Sequence, residues 1–494
     1  MLTRIPERYL VPLYRVEDVR RREQASFAQE GESYAMMHRA GEALYRHILH
    51  HNASLKHLSV VVGGGNNGGD GLVVAALAAQ DGIEVTVYDC SSKPRTGDAE
   101  YAEKVAFGYD TIQITRNIEA LNQDPGQVVV DGLLGIGFHP PISEDLANAI
   151  AAINQKRAQG AWVVSVDCPS GLDVETGRGA LLVEADLVVT FIADKLGHYL
   201  LDGAVACHQI VMESLQAVDL LNRPTAYFLT PAVLENYPPC LRLPNSHKGT
   251  YGHVTVLGGD LGFGGAAIMA SEAAAKSGVG TVTLMTQSRH LSASLMRNPN
   301  VMCVSPEDIG LGDTLRSSES VLVIGPGLGR TEWSERNWQA FLATEGPAVV
   351  DADALYWLGV YGQPMGRPAV LTPHPGEAAR LLQCSTADIL EDLVGSAQQI
   401  ATRFQSVVIL KGATSVVVNQ NGDVVILGQP CPALAKGGSG DVLSGMVGAC
   451  LAYYHEPFEA AVIAAAWHNM AANKASLVIG QISMQPYQLL DYLE

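Results

Sequence analysis

Short apolar, β-branched runs alternate with longer alanine-rich stretches of helical period along the whole chain of 494 residues. In the first half, runs at 58–62, 84–88, 128–130, 163–166 and 187–191 predict strands, each ending at a glycine-rich or acidic segment. In the second half the same pattern predicts strands at 253–257, 281–285, 321–324, 348–350, 369–371 and 407–410, with a helix over 265–277. Asn421-Gly422, between apolar runs at 414–418 and 424–427, signals a hairpin and hence an antiparallel edge. Strands that alternate with helices build parallel sheets covered on both faces, so the fold class is α/β.

Between about 222 and 248 the alternation lapses. Arg223-Pro224-Thr225, Tyr237-Pro238-Pro239-Cys240 and Leu243-Pro244-Asn245-Ser246-His247-Lys248-Gly249 place prolines where neither a helix interior nor a central strand tolerates them. A chain this long also exceeds what one hydrophobic core organises. The expected division is therefore 1–221 and 222–494, each half large enough to hold a buried site.

Charge and composition narrow the partners. A formal net charge of -19, with no lysine- or arginine-rich block, leaves no field to collect a phosphodiester backbone, so nucleic acid is not an expected partner. The eight cysteines lie far apart, without a C-x-x-C pair or a zinc-like histidine spacing, and are expected to be small core residues in a reducing compartment. The amino terminus lacks the apolar core of a secretory signal. The longest apolar stretch, 445–454, is stopped by His455-Glu456-Pro457, so a cytoplasmic protein without membrane attachment is expected.

The richest chemistry in the second half is Lys436-Gly437-Gly438-Ser439-Gly440-Asp441, which precedes a long apolar helix whose first amides can face an anion. A carboxylate there repels a phosphate unless it serves as a base or holds a metal, which makes Asp441 the first candidate for catalysis. A lone aspartate at a helix start more often only favours the helix dipole. Its company argues for chemistry: Gly258-Gly259, Gly325-Pro326-Gly327-Leu328-Gly329, Asp351-Ala352-Asp353, Thr372-Pro373-His374-Pro375-Gly376-Glu377 and Lys411-Gly412-Ala413-Thr414-Ser415 each follow a predicted strand. Carboxyl ends of strands in an open α/β sheet converge on one crevice. Asp351 and Asp353 read either as caps of a helix starting at Ala354 or as carboxylates orienting a magnesium ion through water. His374, between two prolines, is rigidly presented for contact. Lys436 is expected to add positive charge beside the phosphate site.

These segments, together with His247-Lys248-Gly249, Gly252-His253 and Gly264-Gly265-Ala266-Ala267, resemble the ADP- or ATP-dependent dehydratases of hydrated NAD(P)H, members of the ribokinase-like fold. The resemblance implies that Ala267, Gly327, His374 and Asp441 contact the hydrated dinucleotide. It implies that Lys411, Gly412, Ala413, Thr414, Ser415 and Gly440 hold the adenine nucleotide. In the implied reaction Asp441 deprotonates the hydroxyl of the hydrated ring, a phosphoryl group passes to that oxygen with magnesium (Mg2+) compensating charge, and phosphate leaves. Fused two-domain members imply ADP as co-substrate, with ATP as the alternative.

In the first half, Gly63-Gly64-Gly65-Asn66-Asn67-Gly68-Gly69-Asp70-Gly71 follows a strand and contains G-x-G-x-x-G at Gly63, Gly65 and Gly68, with Asp89 ending the next strand. Read literally, this is the dinucleotide fingerprint of an NAD-dependent dehydrogenase. Asp70 argues against that, because a carboxylate in the first helical turn opposes a pyrophosphate. Asn66 and Asn67 offer oxygens that such a loop does not need. Asp131, in Asp131-Gly132-Leu133-Leu134-Gly135, and Asp167 with Ser170, in Asp167-Cys168-Pro169-Ser170-Gly171, add ligands that suit a hard cation better than zinc. Each taken singly reads as a turn or cap residue.

These motifs resemble the NAD(P)H-hydrate epimerases, which implies a Rossmann-like α/β/α sandwich. The resemblance implies potassium (K+) held by Asn67, Asp131 and Ser170. It implies substrate held by Asn66, Asn67, Gly68, Gly69 and Asp70 and by Gly135, Ile136, Gly137, Phe138, His139, Pro140 and Pro141, with Asp167 as the acid-base group. A helix over 27–50, with Gly31-Glu32 and Met36-Met37, resembles the leading helix of that family.

The expectation is a bifunctional repair enzyme: the first domain epimerises hydrated NADH and NADPH (NADHX and NADPHX), and the second dehydrates the S form at the expense of an adenine nucleotide. Family membership implies a homo-oligomer. Two alternatives stand beside it, a ribokinase-like small-molecule kinase in the second half and a non-catalytic binding module in the first.

Overall fold

The computed structural model describes residues 5–220, 223–236, 242–309 and 320–494. The chain forms two compact units: Pro12–Ala226, and Tyr227–Glu494 joined by the described residues before Pro12. The start of the chain thus belongs with its end, an arrangement that a linear division does not contain. The expected junction between 221 and 222 lies outside the described residues, as does Cys240.

In the unit Pro12–Ala226 a parallel sheet runs in the order Ile112–Thr115, Glu84–Asp89, His57–Val62, Val128–Gly132, Trp162–Val166, Leu187–Phe191, Ile210–Glu213. Alternate residues of the central strands enter two separate cores. Val60, Val62, Val128, Val130 and Val164 pack on one face with Leu44 and Val74, while Val61, Val129 and Val163 pack on the other with Ile150 and Ile153. Burial on both faces explains why these strands read as unbroken apolar runs. The two edge strands, Ile112–Thr115 and Ile210–Glu213, are only partly buried, and no such run marks them.

The helix expected over 27–50 is two helices, Val16–Glu30 and Ser33–His51. Gly31 ends the first with φ +78°, a left-handed conformation that breaks the helix, while its amide still bonds the Phe27 carbonyl at 2.9 Å.

The second unit carries a larger sheet, in the order Met302–Val304, Thr281–Met285, His253–Leu257, Ser320–Ile324, Ala348–Val350, Ala369–Leu371, Val407–Leu410, Ser415–Val418, Val424–Leu427, Ala226–Leu229. Strands through Val407–Leu410 are parallel, and the hairpin about Asn421-Gly422 is antiparallel as its turn residues predict. It is not an edge. Tyr227, Phe228 and Leu229 pair in parallel with Val425, Ile426 and Leu427, and the buried side chains of Val424–Leu427 show why a strand apolar on both faces takes a further neighbour.

Helix Ser439–Tyr454 packs against Gly264–Lys276 and Pro457–Ile479. Gly445 allows this approach, since a Cβ there would strike the carbonyl of Ala270 and lie 2.9 Å from the Ala273 side chain. That contact seats the Gly437–Asp441 segment where the strand ends converge.

Of the cysteines, Cys168, Cys207 and Cys450 are buried, but Cys384 is exposed and Cys90, Cys303 and Cys431 are half-buried, so the expectation of core residues holds for only part of the set. Among the described residues no helix is long and apolar enough to cross a membrane.

Candidate active sites

A cavity of about 1210 Å³ opens at the carboxyl ends of the strands of the first unit, reaching from Asp89 past Asn66, Asn67 and Asp70 to Asp167 and Phe191. Asp167 follows strand Trp162–Val166 with φ +64°, a left-handed conformation uncommon outside glycine. Three donors converge on its Oδ1: the Phe191 amide at 2.9 Å, the Thr190 hydroxyl at 3.2 Å and the ammonium of Lys195. Lys195 has no solvent exposure and also donates to Thr190 Oγ1 at 2.7 Å and to the Phe191 carbonyl at 2.8 Å. Oδ2 of Asp167 accepts none of these bonds, and the residue lines the cavity.

Lys195 escaped the sequence reading. Its signal was a lone lysine closely following the apolar strand Leu187–Phe191, a position that calls for a buried anion.

Asp70 is the fifth residue of helix Asn66–Gln80, so it stands behind the first turn and not within it. Burial, reinforced by the charges of Asp167, Glu23 and Asp98, pushes its carboxyl well above the usual carboxylate range. Burial disfavours the charged form of Asp70 and so weakens the electrostatic objection that it raises in the sequence. Glu23, from helix Val16–Glu30, lines the same cavity and is raised by burial and by Asp167.

Asn67, Asp131 and Ser170 meet. The Ser170 hydroxyl donates to Asp131 Oδ1 at 2.5 Å, while its amide and the Ser165 hydroxyl reach Oδ2 at 2.9 and 2.8 Å. Asn67 Nδ2 donates to the Leu134 carbonyl at 2.8 Å, and the Leu134 amide donates to Ser170 Oγ at 2.9 Å. The Asn67 oxygen faces Gly135, where a Cβ would come within 3.2 Å of it. Burial raises the Asp131 carboxyl, opposed by its bonds to Ser170, Ser165 and Leu133. Gly135, Ile136, Gly137, Phe138, His139 and Pro141 line the cavity, and His139 Nδ1 lies 3.0 Å from Asp173.

In the second unit the segments expected to converge do so around Lys411. Its ammonium lies 2.9 Å from Asp351 Oδ1 and 3.9 Å from Glu377 Oε2, and a Cβ on Gly440 would stand 3.2 Å from it. Although burial opposes its charge, Asp351 and Glu377 hold Lys411 protonated. Asp351 Oδ2 accepts from the Ser444 hydroxyl at 2.5 Å, inside the glycine-started helix. Asp351 makes no cap bond to helix Ala352–Tyr361, so the capping reading fails for it: the carboxylate serves Lys411 and Ser444 instead. Asp353 accepts from the Gly329 amide at 3.0 Å and Arg330 at 3.2 Å, pinning the glycine loop of the neighbouring strand.

Asp441 sits in the first turn of helix Ser439–Tyr454. Burial, and then the charge of Asp351, push its carboxyl up to about 7, with Lys411 pulling the other way. His374 caps helix Pro375–Leu382: its Nδ1 accepts from the Gly376 amide at 3.0 Å, and its own amide bonds Glu377 at 2.8 Å. That capping box ties His374 to the Lys411 cluster. Gly327 lies against Ala266 and Phe263, while Ala267 packs against Gly258 and Gly259 and is fully buried, so the structure leaves it no exposed surface for a ligand. Ala413 and Gly412 are exposed and Ser415 opens the next strand.

Lys436 does not add charge at the phosphate site. Its ammonium bonds the carbonyls of Ile482 at 2.5 Å and Met484 at 2.7 Å, so it anchors the carboxy-terminal segment. Asp260 is a residue the sequence did not single out: it is buried and accepts from Gln287, Thr331 and the Leu261 amide, tying three loops of the crevice together.

A parallel α/β unit with a glycine-started helix, a carboxylate and a buried lysine at its strand ends has the architecture of the ribokinase-like proteins. A ribokinase-like superfamily protein from Enterococcus faecalis superposes with a TM-score of 0.50 at 25% identity, covering 56% of this chain and 96% of that one. The model of the NAD(P)H-hydrate dehydratase family matches residues 254–494, and that of the YjeF-related protein N-terminus matches residues 33–197. The bifunctional NAD(P)H-hydrate repair enzyme of Coxiella burnetii is 35% identical over 490 residues, 97% of this chain and 98% of that protein. Its counterpart in Escherichia coli is 35% identical over 488 residues, 97% of this chain and 92% of the relative. The chain belongs to the family of bifunctional NAD(P)H-hydrate repair enzymes.

Proposed function

We propose that the first unit interconverts the two epimers of hydrated NADH and NADPH, and that the second dehydrates the S epimer using ADP, giving AMP and phosphate. The observation that carries the second assignment is Asp441, a carboxylate raised to about 7 beside a charged lysine at a glycine-rich helix start. A base of that strength accepts the proton of the ring hydroxyl at neutral pH as the oxygen attacks the terminal phosphorus. Lys411, the Gly440 amide region and the helix start stabilise the charge that develops on the phosphoryl oxygens. Phosphate then departs from the ring carbon, driven by the ring nitrogen, and loss of a proton from the adjacent ring carbon to the departing phosphate or to water restores the dihydronicotinamide.

In the first unit, inversion at the hydrated carbon requires the C–O bond to break and re-form on the opposite face. Asp167, with Oδ1 held by Lys195, Thr190 and Phe191, presents Oδ2 to exchange the proton of the departing and returning oxygen. Asn66, Asn67 and Asp70 with the segment from Gly135 to Pro141 would hold the substrate across the cavity.

Potassium would be held by the oxygens of Asn67, Asp131 and Ser170, with Ser170 and Ser165 keeping their hydrogen bonds to Asp131 on its remaining lone pairs. Gly135 leaves open the space before the Asn67 oxygen, and a cation there would offset the cost of burying the Asp131 carboxylate. Bound potassium would supply fixed positive charge beside the substrate loops. Magnesium finds a different setting, because Asp351 and Asp353 are already engaged by Lys411, Ser444, Gly329 and Arg330. We assign it no protein carboxylates; it would arrive on the phosphates of the nucleotide.

The test is to incubate the protein with both hydrate epimers, with ADP and ATP in parallel, and follow the absorbance of restored dihydronicotinamide. Complete conversion of both epimers is expected. Consumption of one epimer alone would remove the first assignment, and a stable phosphorylated product without phosphate release would replace the second with a kinase.

A further inference from the structure

The cavity of the first unit has two ends, and only one is occupied by the chemistry above. Asp167 and Asp70 line one end, while Asp89, Ser91, Lys93 and Arg116 line the other. In a dinucleotide fold the acid ending the second strand ordinarily accepts hydrogen bonds from the ribose hydroxyls of the adenosine half. Asp89 stands in that place but is already engaged. It is buried, its Oδ1 accepts from Arg95 at 2.7 Å and from the Ser91 amide at 3.1 Å, and its Oδ2 faces Arg116 at 3.4 Å. Arg95, itself fully buried, spends its remaining donors on the Gly63 carbonyl and on Glu103.

With its acid engaged, this end of the cavity presents donors. The Arg116 side chain is 76% exposed beside Asp89. The neighbouring Lys93 is exposed and has no ion-pair partner among the described residues, and its segment backs directly on the glycine loop, with the Lys93 carbonyl 3.5 Å from where a Cβ on Gly64 would stand. Lys93 is thus without an ion-pair partner among the described residues, and Arg116 is held only by a long 3.4 Å contact to Asp89, so two exposed cations of a chain with net charge -19 stand at one cavity mouth where an anion can bind. The pyrophosphate is not that anion by need, because Arg20, which has no ion-pair partner among the described residues, also lines the cavity, beside Gly137.

We propose that Lys93 and Arg116 recognise the 2′-phosphate of the adenosine ribose, so that the first unit favours the hydrate of NADPH over that of NADH. The proposal rests on the reading of this cavity as the epimerase site. A phosphate monoester placed there would accept from the Arg116 guanidinium and the Lys93 ammonium without displacing Arg95 from Asp89. A ribose hydroxyl would have to compete with Arg95, the Ser91 amide and Arg116 for Asp89.

Two measurements on the full chain test it, with the double variant Lys93→Ala/Arg116→Ala. In epimerisation kinetics the variant should lose at least about tenfold in kcat/KM for the NADPH hydrate, through KM, and stay within about twofold for the NADH hydrate, as expected for lost charge-assisted hydrogen bonds. In calorimetric titrations, adenosine 2′,5′-bisphosphate should bind the variant about tenfold more weakly than the parent, with AMP unchanged; the parent-to-variant difference isolates the first unit. Equal losses on both substrates, or on both nucleotides, would mean that the cations serve a phosphate common to the two, and would overturn the proposal. No loss in either assay overturns it as well, leaving Lys93 and Arg116 as solvated surface charges. If the parent epimerises neither hydrate yet the bisphosphate difference appears, the reading of the reaction fails and the phosphate site stands.

Discussion

Lys411 Nζ lies 2.9 Å from Asp351 Oδ1, although the two residues are sixty positions apart in sequence. Asp351 in turn accepts from Ser444, one turn into the helix that carries Asp441. Two strand ends and one helix are thereby held in a single charge arrangement, in which a buried cation stands beside a neighbouring carboxyl that is kept weakly acidic.

Replacing Asp441 with asparagine removes the proposed base while preserving shape. Dehydration should fall about 100- to 10,000-fold, the usual reach of a lost general base, with adenine-nucleotide binding retained. Single-turnover kinetics and nucleotide titration on the same preparation check both halves; loss of binding as well would place the residue in the fold or the metal site.

The raised Asp441 carboxyl sets a pH profile. A base must be deprotonated to act, so kcat/KM for dehydration should rise with pH through about 7 and level off above it. The same shift has the opposite sign for stability. The folded state holds this proton more tightly than the unfolded chain does, so this contribution declines as pH rises from the ordinary carboxylate range to about 7. A pH series of initial rates, compared with thermal unfolding in the same buffers, separates the two trends.

Lys195→Met should abolish the positioning of Asp167 and leave its carboxylate without its cation. Breaking a buried pair from one side costs about 3–5 kcal/mol, so a clear drop in Tm should accompany loss of epimerisation. Dehydration by the second unit, assayed on pure S epimer below the new Tm, should persist.

Gly135→Ala would bring a methyl group within 3.2 Å of the Asn67 oxygen. The expected result is a raised potassium requirement for epimerisation, seen as a rightward shift of the activation curve in potassium titrations. Unchanged activation would remove Asn67 from the ligand set.

Gly445→Ala tests the seat of the second site. Its new methyl would strike the Ala270 carbonyl, and overpacking of this kind costs about 1–3 kcal/mol. Calorimetry should show a lower Tm, and dehydration should weaken because the helix start moves with its helix.

The sequence by itself determined a great deal. Strands buried on both faces must be apolar throughout, and their abrupt endings at glycine and acid marked both the sheets and the loops at their ends, including Asp167, Asp441 and the segments around them. It did not mark the edge strands Ile112–Thr115 and Ile210–Glu213, whose half-exposed faces carry no such run, nor the break at Gly31. Lys436 looked like a charge for phosphate because it is adjacent in sequence, yet its long side chain reaches the Ile482 and Met484 carbonyls. What only the tertiary structure decided was the acidity and pairing of charges: the Asp70 carboxyl raised by burial, Asp89 taken by Arg95, Asp351 given to Lys411, and Lys195 placed under Asp167. The physical reason is that the pattern of apolar residues depends on neighbours along the chain, whereas the charge of a carboxyl depends on the solvent excluded and the cations supplied by segments far away in sequence.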